Sequence, residues 1–568
     1  MGEIEKTGGR GLTIRSALIA VFMTLFLLAS SSYIAIKIGA LPWPIVFSVV
    51  VCGGILSILS IFRKTNLHEI NVAQAGSSIG GLMASALVFV IPGIWYLQKS
   101  GIDIPDISNW KLIVICVAGG ILGVLLSIPL RKHFIDKEKL AYPSGVAGAE
   151  TLRSVGKGSL GLLMFVGALA GMFALTRDIY FASGFSLSFL AAYGIFFTIY
   201  PMPLAIGVGY ILGKKNSYSW FIGAVVGWII IIPLLVMNGI ESSNAISMIQ
   251  NIGMGIVLGS GVGFIFMYVL PRIKRIFGPV FEKKSAWYLR STPYVSIAII
   301  PILYFTGVPL LASIISVVCV RLIAAVAARM TGETNIDPLE QFGIVVGLVC
   351  LLIYSILGSE LGYIPAFLIV LFVSVVAAIA GDIGHDFKSA KIIGTRVYDI
   401  IRVDLIAVVV AGITGPFVLE VIRRGFFDVM FTEVMAAPQA QMVAGSITGF
   451  PYPYLFLIGF GVAMFIEMFR KKMNVPMMPF GIGMFLGMGL SLMLFLGGLL
   501  KHIFGNKKVD KKMVIGSAGL MGGEGIAGFI VAALFVFGIF TFKQAANGMF
   551  ILLFIAGIIG LYLMRKKR

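Results

Sequence analysis

Glu524 is the residue whose type and surroundings first suggest chemistry. It stands in the stretch GSAGLMGGEGIAGF (516–529), where six residues are glycine and Glu524 alone is charged. A carboxylate held away from water favours its protonated form, so such an acid is suited to reversible proton uptake. The alternative is a position near the membrane interface, because the lysine-rich segment 507–512 lies a short distance before it.

Composition indicates what surrounds this acid. The chain has 568 residues, of which 59% are hydrophobic and 12% charged, and its mean hydropathy is +1.01. These values exclude the soluble globular class. Apolar runs of about 20 residues, the length that crosses a bilayer as a helix, recur along the chain. The sequence therefore predicts an all-α, polytopic integral membrane protein of the cell membrane.

Basic residues give the chain a net charge of +19, and they cluster between the apolar runs. That pattern is typical of cytoplasmic loops and does not favour a nucleic-acid partner. The clusters are Arg63-Lys64, Arg131-Lys132, Lys214-Lys215, Arg272 to Arg275, Lys283-Lys284, Arg470 to Lys472, Lys507 to Lys512 and Arg565 to Arg568.

The beginning of the chain predicts a first spanning helix with a cytoplasmic N-terminus. Its apolar run is too long for a cleavable signal, and no clear cleavage site follows. The four cysteines all lie in apolar runs, far apart in sequence, so we expect packing residues and neither a disulfide nor a metal site. No cofactor is expected. The cysteines are Cys52, Cys116, Cys319 and Cys350.

The apolar runs give 17 candidate segments, which predict about 16 spanning helices. Two short, Gly-rich segments, 203–213 and 477–487, could be half-helices, which leaves the side of the C-terminus open. The candidate spans are 13–36, 40–62, 70–97, 111–130, 159–176, 181–200, 218–238, 245–270, 292–309, 311–329, 339–358, 363–380, 402–421, 446–468, 477–504, 514–541 and 548–564.

The two halves of the chain resemble each other, which predicts two transmembrane repeats, 1–275 and 276–568. AIGVGYILG (205–213) matches FGIGMFLG (480–487), and other short matches follow at similar offsets. Duplicated halves with interrupted helices in matching positions indicate a transporter's binding site. The predicted substrate-binding glycines are Gly207, Gly209, Gly481 and Gly483. The alternative is close packing between helices.

The segment NLHEINVAQAGSSIGG (66–81) begins a predicted span with polar residues. Glu69 is the second candidate for proton coupling, and Asn71 and Gln74 are candidates for substrate binding. The alternative is a polar helix start, with Asn66 as the N-cap and Glu69 in the first turn. A zinc protease motif would need a second histidine where Val72 stands, so the sequence does not predict an enzyme.

Three further polar segments interrupt the apolar pattern: 139–154, 328–343 and 381–396. The first is too short and polar to span, so it lies on the cytoplasmic surface or enters the membrane as a re-entrant piece. The other two are rich in carboxylates but lack both an aspartyl-protease motif and the ligand set of a closed metal site. Their candidates for the substrate path are Ser144, Asp337 and Asp382.

Taken together, these motifs resemble the oligopeptide transporter (OPT) family, including its yellow-stripe-like branch. The resemblance implies about 16 helices in two related halves and proton-coupled uptake of peptides, glutathione-like compounds or metal chelates. The chain lacks a long acidic N-terminal tail, so it is similar to compact prokaryotic members. The matching segments are 68–95, 140–152, 207–213, 331–343, 381–394, 481–498 and 517–528.

The sequence therefore predicts a proton-coupled symporter for small peptides, peptide-like solutes or metal chelates. The expected partners are that small molecule, the proton and the lipid bilayer, and a homodimer is left open. Any metal would be part of the cargo. A uniporter or channel, which needs no titrating acid, and a transporter of bare metal cations, which needs several deep ligands close together, are the alternatives.

Overall fold

The structure is a computed structural model. It describes residues 8–39, 45–60, 64–154, 157–180, 185–186, 188–191, 193–264, 266–267, 271, 287–334, 337–432, 435–469, 475–505 and 509–536. The predicted span 548–564 and the predicted boundary between residues 275 and 276 lie outside these residues.

Apolar runs fold as helices throughout the first part of the chain, with one two-residue antiparallel strand pair. Two π-helical turns lie at Lys132–Lys137 and Val225–Ile231. The elements are α1 (Ile14–Ile38), α2 (Ile45–Leu59), α3 (Leu67–Val90), α4 (Pro92–Lys99), α5 (Asn109–Arg131), α6 (Pro143–Ser154), α7 (Lys157–Tyr180), β1 (Phe185–Ser186), α8 (Ser188–Ala191), β2 (Thr198–Ile199), α9 (Pro203–Ala224), α10 (Ile232–Met237) and α11 (Ser242–Phe264).

The described residues of the second part are helical apart from turns and isolated bridges. The elements are α12 (Trp287–Thr306), α13 (Leu310–Thr334), α14 (Leu339–Ile356), α15 (Tyr363–Ile393), α16 (Val397–Phe426), α17 (Pro438–Thr448), α18 (Pro453–Met468), α19 (Met477–Leu486), α20 (Met488–Phe504) and α21 (Asp510–Val536).

The predicted all-helical, polytopic architecture is confirmed. Within the described residues, 11 helices are long and apolar enough to span a membrane, or 12 if α17 and α18 form one broken span with its bend of 116°. The predicted count of about 16 is not confirmed. Large apolar side chains such as Phe165, Phe305 and Tyr454 lie exposed on outer helices, as expected for a surface that faces lipid.

The predicted span 181–200 is wrong. The described residues there form β1, the short α8 and β2, which pairs with β1. Gly194 has a left-handed φ of +73°, so the chain turns where the apolar pattern had indicated a continuous helix. The predicted span 446–468 is also broken, because Gly449, with φ of +94°, ends α17 and Pro453 starts α18.

The predicted interruptions in the two Gly-rich segments are confirmed. Gly213 has φ +80° and ψ 166° inside α9, and Gly487 has φ +84° and ψ 177° between α19 and α20. A residue with a side chain rarely adopts this backbone conformation, so the helix can break at both positions because each is a glycine. The two positions were paired from sequence alone, and they share one backbone geometry.

The core of the protein lies around α15. Every residue of this helix from Ala366 to Phe387 is buried, and the helix packs against α3, α5, α13 and α14. Three extensive helix pairs each join a helix from before residue 272 to one from after residue 286: α7 with α21, α9 with α20, and α11 with α18. Helices from the two parts of the chain are therefore interleaved.

Candidate functional site

Glu524 is fully buried on α21 and bonded on both carboxylate oxygens. Oε1 accepts a hydrogen bond from Arg177 Nη1 at 2.6 Å and lies 4.0 Å from Lys37 Nζ. Oε2 accepts from the backbone N–H of Leu204, in the first turn of α9, at 2.8 Å. Its charge is therefore stabilised by two cations and by the positive end of a helix dipole.

The two cations belong to a wider polar group, which we call the Glu524 cluster: Tyr33, Lys37, Arg177, Tyr200 and Glu524. Lys37 Nζ donates to the Tyr33 hydroxyl at 2.8 Å. The Tyr200 ring lies 4.7 Å from Lys37 Nζ and 4.5 Å from Arg177 Cζ. Cation–π contact lowers the cost of burying these charges. The cluster joins α1, α7, the start of α9 and α21.

Glycine sets the spacing at this site. A Cβ added at Gly523 would collide with the Gly167 carbonyl oxygen, so the α7 and α21 backbones touch there. That approach is possible because neither residue has a side chain. The glycine-rich stretch around Glu524 thus brings α21 close enough to α7 for Arg177 to reach the carboxylate.

A second buried carboxylate, Asp386 on α15, is held by neutral donors from α3. Gln74 Nε2 donates to Oδ1 at 2.8 Å and Ser78 Oγ donates to Oδ2 at 2.9 Å. Gln74 and Ser78 are four residues apart, so they lie on the same face of α3. Asn71, one turn earlier, donates to Thr395 Oγ1 at 3.1 Å and accepts from Ser389 Oγ.

Glu69 lies at the first turn of α3, as predicted for a polar helix start. Asn66 is the N-cap, and its Oδ1 accepts from the Glu69 N–H at 2.8 Å. The Glu69 carboxylate pairs with Arg15 Nη2 at 3.1 Å. The predicted cap is confirmed, and this acid sits at the end of the helix with a partly exposed arginine.

The first turn of α6 contacts the C-terminal part of α15. The Gly145 N–H donates to His385 Nδ1 at 3.2 Å, and His385 Nε2 lies 3.8 Å from Asp382 Oδ1. The predicted residue Ser144 is next to Gly145 and is half-buried. α6 itself packs on α2 and α15. It is a helix docked on two others.

Asp337 lies in the turn between α13 and α14. A Cβ at Gly381 would stand 2.8 Å from its Oδ2, which places the carboxylate beside the α15 residue that precedes Asp382. Burial raises the pKa of Asp337 well above its ordinary value, and the nearby charges of Asp382 and Glu340 raise it further. The structure therefore brings Asp337 and Asp382 together.

The four predicted substrate-binding glycines lie at helix crossings. Gly207 faces the Ser517 carbonyl, Gly209 that of Leu494, Gly481 that of Gly253 and Gly483 that of Trp220. Beside Gly481, a narrow apolar cleft lies between α11, α17 and α19. Its lining residues are Met254, Val257, Pro438, Gln439, Met442, Ile482 and Phe485.

The predicted site residues thus fall into four places. Asn71, Gln74, Asp337 and Asp382 come together around the C-terminal part of α15, with Ser144 close by. Glu69 lies at the start of α3 with Arg15, and Glu524 lies in its own cluster. The glycines are at crossings of α9, α11, α19, α20 and α21. Within the described residues, no group of three or more His, Cys, Asp or Glu side chains is arranged to hold a metal ion.

Sequence reasoning missed Lys37, Arg177, Asp386 and Asp404. Asp404 lies inside a predicted span, where an ionisable residue is a functional candidate by default. That signal was present in the sequence, whereas Lys37 and Arg177 stand near the ends of runs, where a charge is ordinary. Asp386 follows Asp382 in the same segment, and Asp404 is isolated near the start of a predicted span.

A multi-pass helical protein with matched helix breaks and buried charges has the architecture of a secondary transporter. The chain belongs to the oligopeptide transporter family: the family model described as OPT oligopeptide transporter protein matches residues 11–271 and 285–535. It is a family of transporters, not of enzymes. The protein is accordingly a multi-pass protein of the cell membrane.

A relative in Haemophilus influenzae is similar over most of its length. That protein, named "Putative oligopeptide transporter", is 25% identical over 592 residues, which cover 88% of this chain and 92% of the relative.

Proposed function

We propose that the protein is a proton-coupled symporter that imports short peptides. The family match and the name of the Haemophilus influenzae relative support a peptide as the cargo. Peptide-like solutes and metal chelates carry similar carboxylates and are the alternative cargo. A homodimer remains a prediction.

One observation carries the proposal: a fully buried Glu524 neutralises Arg177 and Lys37 where helices from both parts of the chain meet. Protonation of Glu524 would weaken its bonds to both cations. A peptide carboxylate could then replace it, since a guanidinium, an ammonium and the helix N-terminus at Leu204 favour an anion. Proton entry and cargo entry would thereby share one pair of cations.

The remaining predicted residues take supporting roles in this proposal. Glu69 is the second coupling candidate, because its pairing with Arg15 parallels that of Glu524 with Arg177. Asn71, Gln74, Ser144, Asp337 and Asp382 are proposed to lie along the path near the end of α15. The glycines of α9 and α19 are proposed to let the broken helices move close to the cargo.

The cleft beside α19 suggests how much movement import needs. Its free volume of about 10 Å³ is roughly that of one water molecule, far below the roughly 300 Å³ at which ligand pockets usually begin. A peptide would therefore enter only after α17 or α19 moved outward. The breaks at Gly449 and Gly487 supply hinges for such movement.

Uptake into proteoliposomes tests the proposal. With an acidic exterior, the protein should concentrate a labelled dipeptide inside, and a protonophore should abolish the gradient. Glu524→Gln should lose uphill accumulation but retain exchange of internal for external peptide, because glutamine cannot release a proton. A wild-type protein that only equilibrates the peptide, whatever the pH difference, would indicate a uniporter or channel. Uptake of a metal ion alone would indicate a transporter of bare cations.

Two variants separate coupling from folding. Removing one partner of a buried ion pair costs roughly 3–5 kcal/mol, so Glu524→Gln is compared with Arg177→Gln/Glu524→Gln for thermal stability. Glu420→Gln, which removes a half-buried carboxylate 2.6 Å from the exposed Arg424, is the matched control and should transport normally. The coupling role is excluded if stable Glu524→Gln protein still accumulates peptide uphill.

A further inference from the structure

We propose that five buried carboxylates form a second proton-binding site, which accepts protons during transport and passes them between α16, α15 and α14. We call it the acid chain; its members are Asp337, Glu340, Asp382, Asp386 and Asp404. The inference rests on the proposed proton-coupled function and extends it, because it assigns protons to residues distant in sequence from Glu524.

The members follow one another in space. Asp404 lies on α16, close enough to Asp386 on α15 for the two charges to interact. Asp382 and Asp386 stand four residues apart on α15, so they lie on the same face of that helix. Asp337 lies beside Gly381. Glu340, in the first turn of α14, is close enough for its charge to raise the pKa of Asp337. Helix α3 packs against both α15 and α16, so Gln74 and Ser78 lie on the helix that bridges the first two acids.

These acids differ from Glu524 and Glu69 in their partners. Within the described part of the chain, no lysine or arginine forms an ion pair with any member of the acid chain. Asp386 has only the neutral donors Gln74 and Ser78, and Glu340 Oε1 has Gln341 Nε2 at 2.6 Å. Neighbouring carboxylates that lack a cation cannot all be ionised in a dry interior.

The unpartnered hydrogen-bond acceptors of the acid chain also favour protonation. Both oxygens of Asp404 and of Asp337 are buried and have no donor among the described residues, and the same holds for Glu340 Oε2. The side-chain oxygens of Gln74, Gln341 and Thr331 around them are also unpartnered. All of these atoms can accept a hydrogen bond. A proton on a carboxylate turns an acceptor into a donor, so protonation supplies what the site lacks.

Charged groups on the surrounding helices are bonded elsewhere. Arg329 of α13 donates to Glu138 at 2.6 Å, and Lys388 of α15 donates to the Leu140 carbonyl at 2.7 Å. Arg153 of α6 donates to the Ile392 carbonyl at 2.7 Å. On α1, α3 and α21, the charged side chains that are buried belong to the Arg15–Glu69 pair or to the Glu524 cluster. Two titratable side chains among the described residues face the acid chain: His385, 3.8 Å from Asp382, and the buried Tyr142, whose ring packs on His385 and whose hydroxyl donates to the Ala328 carbonyl.

The donor set favours a proton over a metal cation. Gln74 and Ser78 present an N–H and an O–H to Asp386, whereas a cation would require oxygen lone pairs directed at one point. A proton can reside on any one of the five carboxylates and move between neighbours, which a site for a fixed ion does not permit.

The test uses the full chain in proteoliposomes with a pH-sensitive dye inside. Adding a dipeptide outside should acidify the interior. Asp386→Asn and Asp404→Asn, which imitate a permanently protonated acid, should reduce this acidification at least about tenfold and abolish uphill accumulation, while peptide exchange continues. Asp103→Asn, the same change at an exposed loop position, is the matched control and should behave as wild type. Thermal stability in detergent is measured for each variant.

The outcomes separate the two proposals. If wild-type uptake does not respond to the pH difference, or follows a sodium gradient instead, proton coupling itself is wrong. If wild type is proton-driven and folded Asp386→Asn and Asp404→Asn both remain so, the acid chain is overturned while the proposed function stands. If both variants lose acidification but keep exchange, and Asp103→Asn keeps both, the acid chain is supported.

Discussion

At the scale of single residues, the buried acids of this protein divide by their partners. Glu524 and Glu69 each have an arginine within 3.1 Å, which stabilises the carboxylate. Asp386 and Asp404 are as deeply buried, but among the described residues Asp386 has neutral hydrogen-bond donors and Asp404 has none. In the proposed cycle, protonation of Glu524 would therefore weaken its bonds to two cations, whereas protonation of Asp386 or Asp404 would break no ion pair among the described residues.

Asp337 allows this distinction to be measured through stability. Because the pKa of Asp337 is raised in the folded protein by burial and by the charges of Asp382 and Glu340, the folded state holds a proton that the unfolded state releases. Stability should fall as pH rises from the unfolded pKa towards the folded one. Asp337→Asn removes this loss, so its thermal midpoint should exceed that of wild type by a margin that grows with pH.

Thermal unfolding in detergent across a pH series checks this. Asp103→Asn should track wild type throughout. A margin that is constant with pH would show that Asp337 does not titrate, and a lower midpoint at every pH would mean that its carboxylate is stabilising.

The sequence predicted which acid is buried but not what holds it. Glu524 was identified because a lone charge in an apolar, Gly-rich run is unusual. Its partner Arg177 is 347 positions away, and the contact depends on how α7 crosses α21. The N-cap Asn66 was predictable because its hydrogen bond reaches three residues along the chain.

At the scale of helices, the matched breaks at Gly213 and Gly487 are the most specific feature. Gly213→Ala should destabilise the protein by roughly 1–3 kcal/mol, because its φ of +80° disfavours a side chain. No atom lies within 4 Å of a Cβ built there, so the cost would come from the backbone alone. Gly487→Ala should cost more, since its Cβ would also press on the Trp228 ring at 3.3 Å.

Gly461 in α18 is the matched control. It is helical and has open space around a built Cβ, so Gly461→Ala should be neutral or stabilising by up to about 1 kcal/mol. Chemical denaturation in mixed micelles measures all three variants. Equal stability of Gly213→Ala and Gly461→Ala would contradict the break at Gly213.

Helix positions were easier to predict than helix continuity. Apolar runs located most spans, yet 181–200 folds as short pieces and 446–468 is bent. Hydropathy averages over a window and cannot register a single left-handed glycine. The two halves gave better information at 203–213 and 477–487, since the repeated glycine pattern identified both breaks.

At the scale of the whole molecule, helix pairs that join the two parts of the chain make relative movement testable. A Cβ at Gly171 of α7 would lie 3.8 Å from the Ala527 Cβ of α21, within the range for a disulfide of about 3.5–4.5 Å. Gly171→Cys with Ala527→Cys, in a background that lacks the four native cysteines, should form this bond on oxidation. Because the bond holds α7 to α21, uptake should stop and return on reduction.

Each single cysteine variant is the control and should transport under both conditions. Mass spectrometry of the digested protein reports bond formation. A bond that forms completely while uptake continues would show that α7 and α21 move as one unit, and the cargo path would then have to open elsewhere.

The contact between Gly167 and Gly523 has one more consequence. Since the two backbones touch beside Glu524, a hydrated proton cannot reach that carboxylate between α7 and α21 until these helices part. In the proposed cycle, acid outside the cell would then not slip inward through an idle protein. The rate of proton leak would then depend on how often α7 and α21 separate. Close packing of Gly167 against Gly523 would thus help to preserve the proton gradient when no peptide is present.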